Sequence, residues 1–365
     1  MDTNNTMGSK ILNVSVLVLL LLLFSAGVSA ENRWINGTHS QDLGMVMSDE
    51  IRPRIYLADS ANGELVVIDS VTEAVTHRFT VDGSITDMAL SKDHRWLDVV
   101  ANGTVFRIDL NKLKINRTYN IPVGEGGKSV RSVAFNSRNQ IYAVSLYGSS
   151  QYDMRSEIYL LNWAGSKVIK SFGADSGPNF YKGMLKTDLT GTVLYVGEQG
   201  LSPLSIHKFD VLNPKAPVYL GKNGHGALGS NLRDFAISPR YNELYIASGS
   251  PYGIQSVDAD TLQQLVVNNT GPYPAGTSTS PLGDKIYGIP SSPYNNKLYE
   301  FDAKTDILLN EYALLSNVHN GKAMPRGIAI DAYGEKAFVV HGDDHPSYAS
   351  MELQVIDLNQ QLCGN

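Results

Sequence analysis

The residues best suited to chemistry in this 365-residue chain form three small groups. The tightest is His341-Gly342-Asp343-Asp344-His345. Imidazole and carboxylate groups are common ligands of divalent metals, and a site needs three or four of them converging. His225 and His319 are the further histidines that could complete such a set. A divalent metal is therefore the one cofactor these residues suggest. An exposed polar loop in a glycine-rich stretch accounts for the same residues with no ligand. The second group is Arg131, Arg233 and Arg326, each two residues before an apolar pair. A guanidinium offers a planar fork for carboxylate or phosphate, or it pairs with a neighbouring acid such as Asp234 and ties elements together. The third group is Tyr147, Tyr152, Tyr252 and Tyr294, in segments rich in Gly, Ser and Pro. Tyrosine gives large contact area at low entropy cost, which suits recognition.

No nucleophile stands out. The chain has no Gly-x-Ser-x-Gly elbow, no phosphate-binding loop and no Cys-x-x-Cys-His. No carboxylate pair is placed for glycoside hydrolysis. No catalytic residue is assigned.

Composition narrows the class. Charged residues make up 18%, below the roughly 25% of an ordinary soluble domain, while Gly and Tyr number 33 and 19. That balance suits short strands and tight turns. The net charge of −6 argues against nucleic acid as a partner. Cys363 is the only cysteine, so no intrachain disulfide can form. Residues 1–30 read as a signal peptide: a polar start ending at Lys10, an apolar run from Val14 to Phe24, and small residues up to Val28-Ser29-Ala30. Cleavage before Glu31 is expected, because the run is shorter than the ~20 residues a spanning helix needs. Export follows, to the extracellular space or the cell envelope; a membrane is met only if that segment stays uncleaved. Asn36, Asn102, Asn116 and Asn268 each begin an Asn-x-Thr triplet in the exported part.

The elements that must position these residues repeat. An apolar run closed by Asp or Asn ends at Asp69, Asp109, Asn162, Asp210, Asp258, Asp302 and Asp357. An aromatic in an apolar strand precedes each: Tyr56, Trp96, Tyr142, Tyr195, Tyr245, Tyr287 and Phe338. A third run precedes that in most copies, as in Asp87-Met88-Ala89-Leu90-Ser91 and Asp234-Phe235-Ala236-Ile237-Ser238. The copy before Tyr287 is the weakest, with Thr277-Ser278-Thr279 where an apolar inner strand belongs. Period-2 alternation with turn residues between runs predicts four strands per unit. Seven such units predict an all-β, seven-bladed β-propeller of four-stranded antiparallel blades over residues 43–365. The last unit lacks a fourth strand, and residues 31–42 are spare, so that segment is expected to close the ring.

The first unit carries a resemblance. Ile55-Tyr56-Leu57-Ala58-Asp59-Ser60, Leu65-Val66-Val67-Ile68-Asp69 and Val75-Thr76-His77-Arg78-Phe79-Thr80-Val81 resemble one unit of the YVTN β-propeller repeat family, and later units resemble it more loosely. The resemblance implies an extracellular or cell-surface propeller, like archaeal surface-layer proteins, with kinship to lactonase-like propellers. It points to fold more than to function. With strands a to d running outward in each blade, the b–c loops and d–a crossovers share one face of the disc. The histidines and the loop tyrosines then lie on that face. The expected function is a non-catalytic binding or scaffold module for protein or cell-envelope glycan. The alternative is a lactonase-like or other hydrolytic propeller with a metal site in the channel or on the loop face.

Overall fold

The computed structural model describes residues 33–359, apart from 122–126, 148–154, 165–166, 174–177, 179, 292–294, 316–321 and 344–349. The described elements are all strands, in seven four-stranded antiparallel sheets. The chain is a seven-bladed β-propeller. The inner strands, a, are Leu43–Ser48, Ile85–Leu90, Gly127–Phe135, Gly183–Thr187, Ser230–Ile237, Pro274–Thr279 and Lys322–Ile330 for blades 1 to 7. In blades 1 to 6 the b, c and d strands follow in sequence order. In blade 7 the outer strand is Arg33–Trp34, paired with Ser350–Asp357.

Burial explains the strand sequences. Strands b and c are covered on both faces by neighbouring blades, so they read as nearly continuous apolar runs such as Ile55–Ala58 and Leu65–Ile68. Outer strands such as Val75–Thr80 are mostly exposed and carry polar residues. The buried apolar side chains fall into seven clusters, each spanning two neighbouring blades. The second-strand aromatics lie inside them: Tyr56, Tyr142, Tyr245, Tyr287 and Phe338 are fully buried. Large rings fill the wedge between twisted sheets.

The turns are built by side chains acting locally. The residue closing strand c accepts backbone N–H bonds from two and three residues on. Asp69 does so from Val71 and Thr72, Asp258 from Asp260 and Thr261, and Asp302 from Lys304 and Thr305. In each of these turns the fourth residue on from the Asp is left-handed, at Glu73 (φ 59°), Leu262 (φ 56°) and Asp306 (φ 57°). A β-bulge sits at the matching place in the c–d pair, for instance between Val67 and Ile68 and between Glu300 and Phe301. Bulges sharpen the local twist. At the end of strand a, Asp49, Asn136, Asp188 and Asp331 cap the a–b turn by accepting the backbone N–H of Ile51, Arg138, Thr192 and Glu335.

The weak sixth repeat forms a strand because its hydroxyls are satisfied. Thr277 Oγ1 donates to the Tyr287 carbonyl at 3.0 Å, and its N–H reaches Asp234 Oδ2 at 3.3 Å. At the ring junction, Ile35 N–H donates to the Leu353 carbonyl at 2.9 Å, and Ser40 bridges to Met351. Arg33 joins Asp357 of blade 7 to Glu73 of blade 1.

Candidate functional site

Two places on the propeller could hold a partner. The first is the central channel, where the inner strands carry small side chains, Ala89, Ala134, Ala236 and Ala329, at matching positions. In blade 4 that position is Lys186. These residues line a cavity of about 520 Å³. Ser48–Ile51, Lys92, His94, Leu189, Pro239, Pro281 and Asp331 also line it, so its mouth lies among the a–b turns.

The charged groups inside are engaged with one another. Arg326 ion-pairs with Asp87, and Asp87 Oδ2 also accepts the Val133 N–H at 2.9 Å and the Ser132 hydroxyl. Ser132 Oγ in turn accepts the Leu185 N–H at 2.9 Å. Lys186 Nζ donates to Asp234 Oδ1 at 3.2 Å and to the Phe235 carbonyl. These bonds link the inner strands of blades 7, 2, 3, 4 and 5. Burial by itself lowers the Arg326 guanidinium, yet the charges of Asp87 and Asp234 reverse this and hold it raised. Near the mouth, Lys92 Nζ donates to the Asp188 carbonyl at 2.8 Å. Burial pushes its ammonium below the ordinary lysine range, against the pull of Glu50 and Asp188. His94 Nδ1 lies 3.7 Å from Glu50.

The second place is the opposite face, among the b–c loops and d–a crossovers. Tyr252, in the b–c hairpin of blade 5, and Tyr273, in the crossover to blade 6, are 54% and 50% exposed with ring centroids 5.6 Å apart. Their phenols interact, which raises the Tyr252 pKa. Tyr273 holds φ at +56°, between Gly271 (φ 86°) and the start of the inner strand. A bulky residue in the left-handed region is an outlier that marks a built position. The Ser291 N–H donating to the Tyr273 carbonyl at 2.8 Å pins it.

The residues singled out in the sequence are distributed as follows. Arg326 lines the channel cavity, whereas Arg131 is exposed, Arg233 is half-buried, and neither lines it. Tyr147 ends a b strand, and its hydroxyl meets that of Tyr159. His225 is exposed in a turn of the crossover between blades 4 and 5. His341 is fully buried in strand b of blade 7, stacked on Trp34 with centroids 6.3 Å apart and planes 18° from parallel. Asp343 ends that strand. Asp344, His345, His319, Tyr152, Tyr294, the signal segment and Cys363 lie outside the described residues. Among the described residues, no three His, Cys, Asp or Glu side chains converge as metal ligands. Sequence reading missed Lys186, Lys92 and Tyr273. Lys186 was detectable as the one charged residue at a position that is Ala in four of the seven blades. Tyr273 carried no signal beyond the Gly271-Pro272 before it.

Searched against protein-family models and against curated proteins, the chain matches none.

Proposed function

We propose that this propeller is an exported, extracellular or cell-surface binding module that holds protein or glycan partners on its b–c and d–a loop face without catalysing a reaction. The exposed Tyr252–Tyr273 pair carries this reading. Two half-exposed rings fixed beside each other by a left-handed backbone form a platform. A sugar face or an apolar side chain stacks on such a platform at little entropic cost. The channel supports the same reading from the other side. Its arginine and one of its lysines are tied to acids in ways that brace the inner strands. The resemblance of the repeats to YVTN propellers, known from cell envelopes, agrees with this placement.

The test is direct binding of the exported protein to cell-envelope glycans and extracted envelope proteins, compared with a Tyr252→Ala/Tyr273→Ala variant. The expected loss is at least about tenfold in affinity, the scale of a central aromatic anchor. Equal binding by the two proteins would remove the platform from the reading. The hydrolytic alternative, with a divalent metal, draws on the 520 Å³ channel cavity and its Lys92, His94 and Glu50 rim. Turnover of lactones or sugar acids that disappears on chelation would favour it instead.

A further inference from the structure

Four asparagines start an Asn-x-Thr triplet, and the fold separates them sharply. Asn36 is exposed beside the closing strand of blade 7, where the carbonyl of the next residue, Gly37, meets Arg78 on the rim of blade 1. Asn102 is exposed at the tip of the b–c hairpin of blade 2, with φ 48° and Gly103 after it. Asn116 is exposed on the outer strand of that blade, Lys114–Asn120. Asn268 is the opposite case: it sits 2% exposed in the outer strand of blade 5. Its Nδ2 donates to Ser256 Oγ and Asp306 Oδ1, each at 3.1 Å.

We infer that Asn36, Asn102 and Asn116 are N-glycosylation sites of the exported protein, and that Asn268 is excluded by the fold. The inference rests on the export reading above. The co-reactant is an oligosaccharide carried on a lipid phosphate or pyrophosphate, used by the transferase of the export compartment. Asn Nδ2 forms a bond to the anomeric carbon, and the anomeric C–O bond to the lipid phosphate breaks. The phosphate leaves with that electron pair, and the amide gives up one proton. No atom changes oxidation state. At the three exposed positions the glycan projects into solvent at no cost to packing. At Asn268 it would replace one of the two amide hydrogens that serve buried Ser256 Oγ and half-buried Asp306 Oδ1 and force a bulky sugar between blades 5 and 6, so a chain modified there does not reach this fold.

The placement has a consequence for surface use. The permitted sites lie at the junction of blades 7 and 1 and on blade 2. The exposed apolar residues of the outer strands, Val218, Leu220, Leu265 and Leu309, lie on blades 4, 5 and 6 and stay bare of sugar.

The experiment is secretion of the full chain from an N-glycosylating cell line, with intact mass measured before and after enzymatic removal of N-glycans. The expected result is three glycans on the folded protein. One should be lost in each of Asn36→Gln, Asn102→Gln and Asn116→Gln, and none in Asn268→Gln. A glycan on Asn268 in folded protein, or secreted protein with none of the three occupied, overturns the inference. If the chain is not secreted, the export reading has failed; the same chain behind the host's own leader then decides the glycan question by the same masses. Should Asn268→Gln fail to fold, peptide mapping of the unmodified chain at Asn268 replaces it.

Discussion

Arg107 shows what a single residue does in this fold. It sits in strand c of blade 2, almost without solvent contact, directly across from Asp98. Its Nε and Nη2 donate to the two Asp98 oxygens, each at 2.7 Å, and Tyr119 donates its hydroxyl to the same carboxylate at 2.7 Å. The guanidinium also contacts the Trp96, Tyr119 and Phe135 rings and reaches the Trp163 carbonyl of the next blade. Removing one partner leaves the other charge buried and uncompensated. Arg107→Met is expected to cost about 3–5 kcal/mol in urea unfolding, and Arg107→Met with Asp98→Asn to recover part of it. A loss no larger than that of a surface substitution would show that the pair is not a structural tie. In the sequence Arg107 is one more residue of an apolar run. Strand register could suggest Asp98 as its neighbour, but the Phe135 ring and the Trp163 carbonyl come from the next blade.

At the scale of the element, the c–d turns were the most legible feature. The Asp closing the run is legible in the sequence, and it accepts the backbone N–H two residues on in blades 1, 2, 4, 5 and 6. The interaction is local, so no tertiary information is needed to see it. It also has a pH signature. Hydrogen bonds from Thr305, first side chain and then backbone, hold the Asp302 carboxyl below its ordinary range. A carboxyl depressed in the folded state adds stability that is fully present above its unfolded pKa, and this stability is lost as pH falls through the folded value. The stability difference between wild type and Asp302→Asn should therefore shrink as pH drops from about 6 to 3. Stability measured by urea at several pH values checks this, and a pH-independent difference would count against it. Asp302→Ala, which loses the acceptor as well, should cost about 1 kcal/mol at neutral pH. The inner strand of blade 6 was read as the weakest copy because hydropathy ignores hydrogen bonding. Thr277 belongs there because a carbonyl and a carboxylate of neighbouring strands receive its hydroxyl and N–H.

The whole molecule is a ring, and a ring depends on its junction. The outer strand of blade 7 is only two residues long, yet it leads into buried Ile35 and to Thr38, whose hydroxyl accepts the Leu353 N–H at 3.2 Å. Arg33 adds ion pairs to blade 7 and to blade 1. Deleting residues 31–42 removes these contacts and uncovers the edge of Ser350–Asp357. Burial of Ile35 alone is worth about 2 kcal/mol, so the deletion should lower the melting temperature by several degrees. An unchanged melting curve would mean that the junction is held elsewhere.

The seven-fold repeat, the four-strand unit and the turn chemistry were decided by the sequence alone. They rest on periodicity and on side chains reaching only a few residues along the chain. What only the tertiary structure decided is which distant groups meet. Arg326 stood out as an arginine that could pair with an acid, but its partner Asp87 lies 239 residues away. Lys186 meets Asp234 of the next blade, Tyr273 meets Tyr252 across a crossover, and Asn268 is buried between two blades. A period of two tells which side of a strand a residue occupies. The neighbour it faces there is set by the rotation of one twisted sheet against the next, which no single repeat encodes.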